Sequence, residues 1–186
     1  MRPVVGTATL LLLVLMSMSA SAAWDPKQTC KTNYPARPCR HKINNEDWFQ
    51  MGDNRCVKVV SNERLSFYDA EKTCNKYRHG NFMGNLVSIH DDVELRQAAC
   101  TMFRANPEKD HYWIGLKRIK NNVRGSPFKY VWTDGTDNTF SRWVSGQPVK
   151  FLLREECVEM NYTEWTLWNN IYCGQQRSYM CAVRIA

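Results

Sequence analysis

The chain has little that points to catalysis. It contains neither H-E-x-x-H nor G-x-S-x-G, and its four histidines, His41, His79, His90 and His111, are scattered. Those absences exclude the common zinc-hydrolase and nucleophile-elbow chemistries, so no enzyme is predicted. His90 precedes Asp91 and Asp92, which read as carboxylates at a helix start, and His41 follows a cysteine expected in a disulfide. Long apolar runs are also missing. The run from Leu10 through Val14 and Met16 is too short to cross a bilayer as a helix, and no stretch of about 18 apolar residues follows it, so no transmembrane segment is expected. There is no Gly/Ser linker and no internal repeat, which leaves one domain as the default for a chain of this length. Acidic residues are absent from KRIKNNVRGSPFK, residues 117–129, which therefore reads as a strongly basic loop.

What is present sets the compartment. Arg2, the apolar run and the small residues Ala20, Ser21 and Ala22 together form a secretory leader. Residues 1–22 are accordingly expected to be a signal peptide, residues 23–38 a tail and residues 39–186 the folded domain, giving a secreted, extracellular protein. Removing 1–22 takes away Arg2 alone, so 24 Lys and Arg face 18 Asp and Glu, a net charge of +6. That balance favours anionic surfaces or plain solubility, and secretion makes nucleic acid a poor partner. The eight cysteines, Cys30, Cys39, Cys56, Cys74, Cys100, Cys157, Cys173 and Cys181, all follow the leader. An even number in an oxidising compartment implies disulfides rather than zinc, and eight allow 105 pairings.

The periodicity predicts two early helices and later strands, an α+β domain. Ser66, with Asp69 in the box position, caps a helix to about Tyr77 whose inward stripe is Phe67, Ala70, Cys74 and Tyr77. A second helix starts at Asp91 with Glu94 and buries Leu95, Ala98, Ala99, Met102 and Phe103. On that wheel Cys100 lies about 140° from Leu95 and should point off the core face. Short strands are expected at 112–116, 128–132, 156–160 and 178–183. Before them, Pro26, Pro35 and Pro38 predict an extended tail from Trp24 to about Lys42. Seven tryptophans suit a core in which large rings fill space that regular elements leave incomplete.

An ordered set of pieces resembles the C-type lectin-like domain family in its long form. These are Trp48-Phe49, Cys56, the helix with Cys74, GNLVSIH at 84–90, WIGL at 113–116, WTDGT at 132–136, GQP at 146–148, EEC at 155–157, WNN at 168–170, then Cys173 and Cys181. The resemblance covers about Cys39 to Ile185. It implies an antiparallel sheet flanked by two helices, an irregular long loop carrying the ligand site, and the disulfides Cys74–Cys181, Cys157–Cys173 and Cys39–Cys56. Cys30 and Cys100 remain: they either pair, clipping the tail to the second helix, or each joins another subunit in a disulfide-linked oligomer. The even count favours the internal bond.

In sugar-binding relatives a Glu-Pro-Asn or Gln-Pro-Asp triplet, usually with a cis proline, combines with a later Glu and a Trp-Asn-Asp triplet to hold one Ca2+, which sugar hydroxyls complete. Gln147, Pro148, Val149, Glu155, Asn169 and Asn170 occupy those positions here as ligand-binding candidates, with Gln147, Glu155, Asn169 and Asn170 as the metal candidates. Val149 offers no oxygen and Asn170 replaces a carboxylate, so the formal ligand charge falls to the single negative of Glu155 and calcium should bind much more weakly. Lys150 and Arg154 disfavour a dication further. Between them, Val149, Phe151, Leu152 and Leu153 form either a contact patch or a core under the loop. The basic segment 117–129 suits sulphated or sialylated glycans, with Phe128 and Tyr130 for stacking, or is a solvated loop. Asn161-Tyr162-Thr163 is a glycosylation sequon expected on an exposed loop. Together these features predict a secreted C-type lectin-like protein that recognises glycans through a degraded calcium site. The rival is a calcium-independent binder of extracellular proteins or a matrix component.

Overall fold

A computed structural model describes residues 24–123, 126–149, 155–161 and 163–186. Helix α1 spans Pro26–Thr32; Asp25 caps it by accepting from the Lys27 N–H, and Pro26 fits the first helical position because that position needs no donor. The expected extended tail is thus partly helical.

Strands β1 (Phe49–Met51) and β2 (Arg55–Leu65) come next, then helix α2 (Phe67–Cys74). The Ser66 hydroxyl accepts from the Asp69 N–H at 3.3 Å, and Phe67, Ala70 and Cys74 are buried, as the spacing predicts. The helix ends a few residues before Tyr77, where the chain turns into β3 (Arg78–His79), β4 (Phe82–Met83) and β5 (Asn85–Leu86). Helix α3 (Asp92–Ala105) starts at Asp91, which accepts from the Glu94 N–H at 2.8 Å while the Glu94 carboxylate accepts from the His90 N–H. The remaining strands are β6 (Tyr112–Val123), β7 (Ser126–Trp132), β8 (Glu155–Met160), β9 (Trp168–Tyr172) and β10 (Arg177–Arg184).

The main sheet runs β1-β2-β10-β6-β8-β9, with β5 attached to β10 and β7 attached to β6. Pairing is antiparallel except between β10 and β6, which run parallel with Ser178 opposite Tyr112. Residues 117–123 and 126–129, expected as a loop, belong to paired strands, with Arg118 opposite Tyr130 and Lys120 opposite Phe128. Their alternation is masked by lysines on both faces, which is why the pattern read as unstructured.

Two cores flank the sheet. One packs Leu95, Ala98, Ala99 and Met102 of α3 against Val87, Ile114, Val158 and Met180; the other packs Phe67, Ala70 and Cys74 of α2 against Trp113, Tyr179 and Val183. Glu71 ties α2 to its surroundings, accepting from the Asn75 and Asn85 amides, the Leu86 N–H and the Thr133 hydroxyl.

All eight cysteines pair within the chain: Cys30–Cys100, Cys39–Cys56, Cys74–Cys181 and Cys157–Cys173. A disulfide-linked oligomer through Cys30 or Cys100 is therefore set aside, because neither sulfur is left to leave the molecule. The expectation that Cys100 faces off the core also needs correction. It is fully buried, because α1 covers that side of α3 and Arg104 donates to the Cys30 carbonyl at 2.6 Å and to that of Tyr34. No helix among the described residues is long and apolar enough to cross a membrane.

Candidate functional site

The long loop leaves β7 at Trp132 and is floored by aromatic rings. Trp168 on β9 takes edge contacts from Trp132, Phe140 and Trp143 at centroid distances of 5.8, 5.9 and 5.9 Å, and Trp143 in turn meets Tyr130 at 5.1 Å. Large rings hold an irregular segment without a strand partner because each buries much area while fixing few torsions. The backbone is pinned to β9 at two points, Trp168 N–H to the Arg142 carbonyl at 2.8 Å and Val144 N–H to the Trp168 carbonyl at 3.0 Å. The turn that follows uses Gly146 at φ +85°, a conformation that glycine adopts without Cβ strain, and the Gln147–Pro148 peptide is cis.

This path brings Gln147, Pro148, Val149 and Asn170 together. The Val149 N–H donates to Gln147 Oε1 at 2.8 Å and to Asn170 Oδ1 at 2.9 Å, and the Asn170 amide donates back to the Val149 carbonyl at 3.1 Å. Two side-chain oxygens that a cation would need thus converge on an N–H dipole. Asn169 lies elsewhere. Consecutive residues of a strand face opposite ways, and Asn169 Nδ2 donates to Glu159 Oε1 at 2.8 Å on the other side of β9. Glu155 pairs through its backbone with Tyr172, while its side chain lies outside the described residues, as do Lys150, Phe151, Leu152, Leu153 and Arg154 and residues 1–22, where a leader is expected. Among the described residues no group of three or more His, Cys, Asp or Glu is placed to hold a metal. The described donors do not fit a hard dication: the Gln147 and Asn170 oxygens are already engaged by the Val149 N–H, and Asn169 is on the other face of the strand.

Beneath this lip sits a polar cluster that the sequence reading missed. Glu159 on β8 is fully buried, accepting from Arg177 Nε at 2.6 Å and from Asn169, with His111 Nδ1 at 3.5 Å. Burial pushes its carboxyl up, but hydrogen bonds from His111, Arg177 and Asn169, with the Arg177 charge, outweigh burial and hold it below the ordinary value. The available signal was an acid in an apolar strand, CVEM, two residues after a core cysteine and hence on the same face.

The sequon is also placed differently from expectation. Asn161 is fully buried at φ +70°, its Oδ1 accepting from the Thr166 N–H at 3.0 Å and its Nδ2 meeting Met102 Sδ at 3.5 Å. The atom that would carry a glycan thus faces the α3 core. Peptide mass spectrometry of the chain expressed through a secretory pathway is expected to find Asn161 unmodified; an occupied sequon would mean that the loop closes differently on Met102.

Comparison with known proteins identifies the fold. Residues 63–183 match the Lectin C-type domain family. The chain is 33% identical over 138 residues to the C-type lectin BML-1 of Bungarus multicinctus, covering 73% of this chain and 80% of that one. Its fold is similar to that of the C-type lectin CEL-I from Cucumaria echinata, with TM-score 0.64 and 23% identity over 80% of this chain and 99% of that one. It is also similar to the herring type II antifreeze protein, with TM-score 0.56 and 26% identity over 77% and 97%. The chain belongs to the C-type lectin domain family, a family of binding proteins.

Proposed function

We propose that this is a secreted recognition protein that engages glycans through its long-loop side without recruiting calcium. The observation that carries the reading is the Val149 N–H, which occupies Gln147 Oε1 and Asn170 Oδ1 together. A metal at that place would have to break both bonds and would meet a peptide dipole of the wrong sign. Gln147, Pro148, Val149, Glu155, Asn169 and Asn170 are proposed as the residues of the ligand region, Asn169 by holding β9 in place rather than by contact. Secretion is supported by the leader and by four internal disulfides, which persist in oxidising compartments. The domain division at residues 22 and 38 belongs to the same proposal, with α1 as a clip on the lectin domain.

Thermal unfolding in calcium and in chelator tests this. Calcium at a hundred times its dissociation constant would add about 2.7 kcal/mol and raise the midpoint by roughly 5 to 10 °C. The expected result is no shift, with glycan-array binding retained in chelator; a shift of that size would sink the reading. A second reading, recognition of an extracellular protein surface, is favoured by Val149 itself, whose methyls stand where a sugar hydroxyl would need an acceptor. A blank array would turn the assignment to that reading.

A further inference from the structure

The hairpin β6–β7 has a charge pattern that the long-loop lip does not use. Between Asp110 and Asp134 the chain carries no acid, while Lys117, Arg118, Lys120, Arg124 and Lys129 all fall within it. The fold gathers Lys117, Arg118, Lys120 and Lys129 on one ribbon. Lys117 stands opposite Val131 and Lys129 opposite Ile119, so the two lysines share a face and lie diagonally across the strand pair, about 7 Å apart at their backbones. Arg118, buried over the Phe128 ring, and the exposed Lys120, opposite Tyr130 and Phe128, lie on the other face. Among the described residues β7 pairs with no strand but β6, so the ribbon has an outer edge along which ligand can approach, apart from the Tyr130 carbonyl, which accepts from the Asn138 amide.

The lysines are available. Lys120 and Lys129 are exposed, and among the described residues no carboxylate forms an ion pair with Lys117, Lys120 or Lys129. Lys117 is held instead over the Tyr68 ring, its ammonium 5.7 Å from the centroid, and Tyr68 is itself 53% exposed. An aromatic face orients an ammonium without neutralising it, so the charge is positioned while remaining free to meet an anion.

We propose that this hairpin binds sulphated polysaccharide through Lys117, Lys120 and Lys129. The ligand class follows from the charge: bases on both faces of one ribbon, with no carboxylate paired to Lys117, Lys120 or Lys129 among the described residues, match a linear chain bearing fixed negative charge that crosses the ribbon's edge. Lysines also guard free strand edges against self-association. That role needs a charge at the edge and does not account for bases on both faces of a ribbon whose sequence carries no acid between Asp110 and Asp134. The inference does not depend on how the Val149 lip works, since the residues and the driving force both differ.

The test is binding of the secreted chain to immobilised heparin over a range of salt, in calcium and in chelator alike. Because each neutralised charge releases about one counterion, the triple variant Lys117→Ser, Lys120→Ser, Lys129→Ser is expected to flatten the dependence of log affinity on log salt by about two to three. A control losing the same charge on the helices, Lys27→Ser, Lys31→Ser, Lys72→Ser, is expected to bind as the parent does. Where the triple variant does not fold, Lys120→Ser and Lys129→Ser singly are each expected to flatten the slope by about one. Desulphated heparin and phosphatidylcholine vesicles containing phosphatidylserine are expected to bind at least about tenfold more weakly. Equal affinity of hairpin variant and control would overturn the proposal. So would undiminished binding of desulphated heparin, or equally tight binding of the vesicles, which would reassign the hairpin to a lipid surface. A triple variant that self-associates yet keeps heparin would leave only the edge-guarding role.

Discussion

Replacing Glu159 with alanine is expected to lower the stability of the fold by about 3 to 5 kcal/mol, or roughly 6 to 20 °C in the unfolding midpoint. The size follows from what is left behind. Arg177, mostly buried, would lose the carboxylate on its Nε, and the Asn169 amide would lose its acceptor inside the sheet. An unpaired buried charge costs more than the pair contributes, so removing both partners should be milder than removing one. Arg177→Met alone is therefore expected to destabilise more than Arg177→Met combined with Glu159→Gln. Additive losses in that pair of variants would mean that the two groups do not interact as drawn. The same cluster sets an acid dependence. The Glu159 carboxyl is held below its ordinary value of 4.5, so its contribution is complete above that pH and is lost as pH falls through the lowered folded value. Thermal midpoints of the parent and of Glu159→Gln should accordingly converge below about pH 4.5, since Arg177 keeps its charge throughout. Parallel curves down to pH 3 would place the acid sensitivity in another group.

The parts of the fold legible in the sequence are those whose signals are local. Ser66 with Asp69 and Asp91 with Glu94 mark helix starts by satisfying orphan N–H groups, which needs no tertiary context, and both helices begin where those residues stand. The ends were less visible: α2 stops at Cys74 because the chain must turn into β3, a demand made by the sheet and not by the helix. Strand β2, eleven residues long, lacked a clean alternation because its second half, Asn62 to Arg64, runs exposed beyond the core. Arg55 shows the same limit at the other end. It is a buried charge paired to Glu94 at 2.5 Å and bonded to Ser88, and nothing in its neighbours announces a partner 39 positions away.

The candidate site divides similarly. That Val149 supplies no side-chain oxygen is readable from one letter. That its backbone N–H captures the oxygens of Gln147 and Asn170 is not, because the contact joins residues 21 apart through a loop whose course depends on Trp143 meeting Trp168. Asn169 and Asn170 look equivalent in a triplet, yet a strand sends them to opposite faces, so the pair splits between the lip and the Glu159 cluster. The basic segment was visible as charge, while its hairpin form was hidden by the lysines that give it its character.

Removing the Cys30–Cys100 bond, by serine at both positions, is expected to cost about 4 kcal/mol. A closed loop of 70 residues withholds about that much entropy from the unfolded chain in the chain-entropy account. The loss should not be spread evenly. The bond fastens α1 to the outer side of α3, where Arg104 reaches the Cys30 and Tyr34 carbonyls and where Trp24 meets both the Trp165 ring at 6.4 Å and the Arg96 guanidinium. Trp165 also packs on Phe103, so the clip braces the turn between Asn161 and Thr166 that lies at the foot of β9. Hydrogen exchange in the double variant should therefore rise first in α1 and in residues 163–167, while β2, β6 and β10 keep most of their protection. The parent should migrate as a monomer without reductant, because every sulfur is already used within the chain. If the double variant instead melts as the parent does, α1 is an appendage whose loss the lectin domain does not register, and the brace on Trp165 must come from α3 alone.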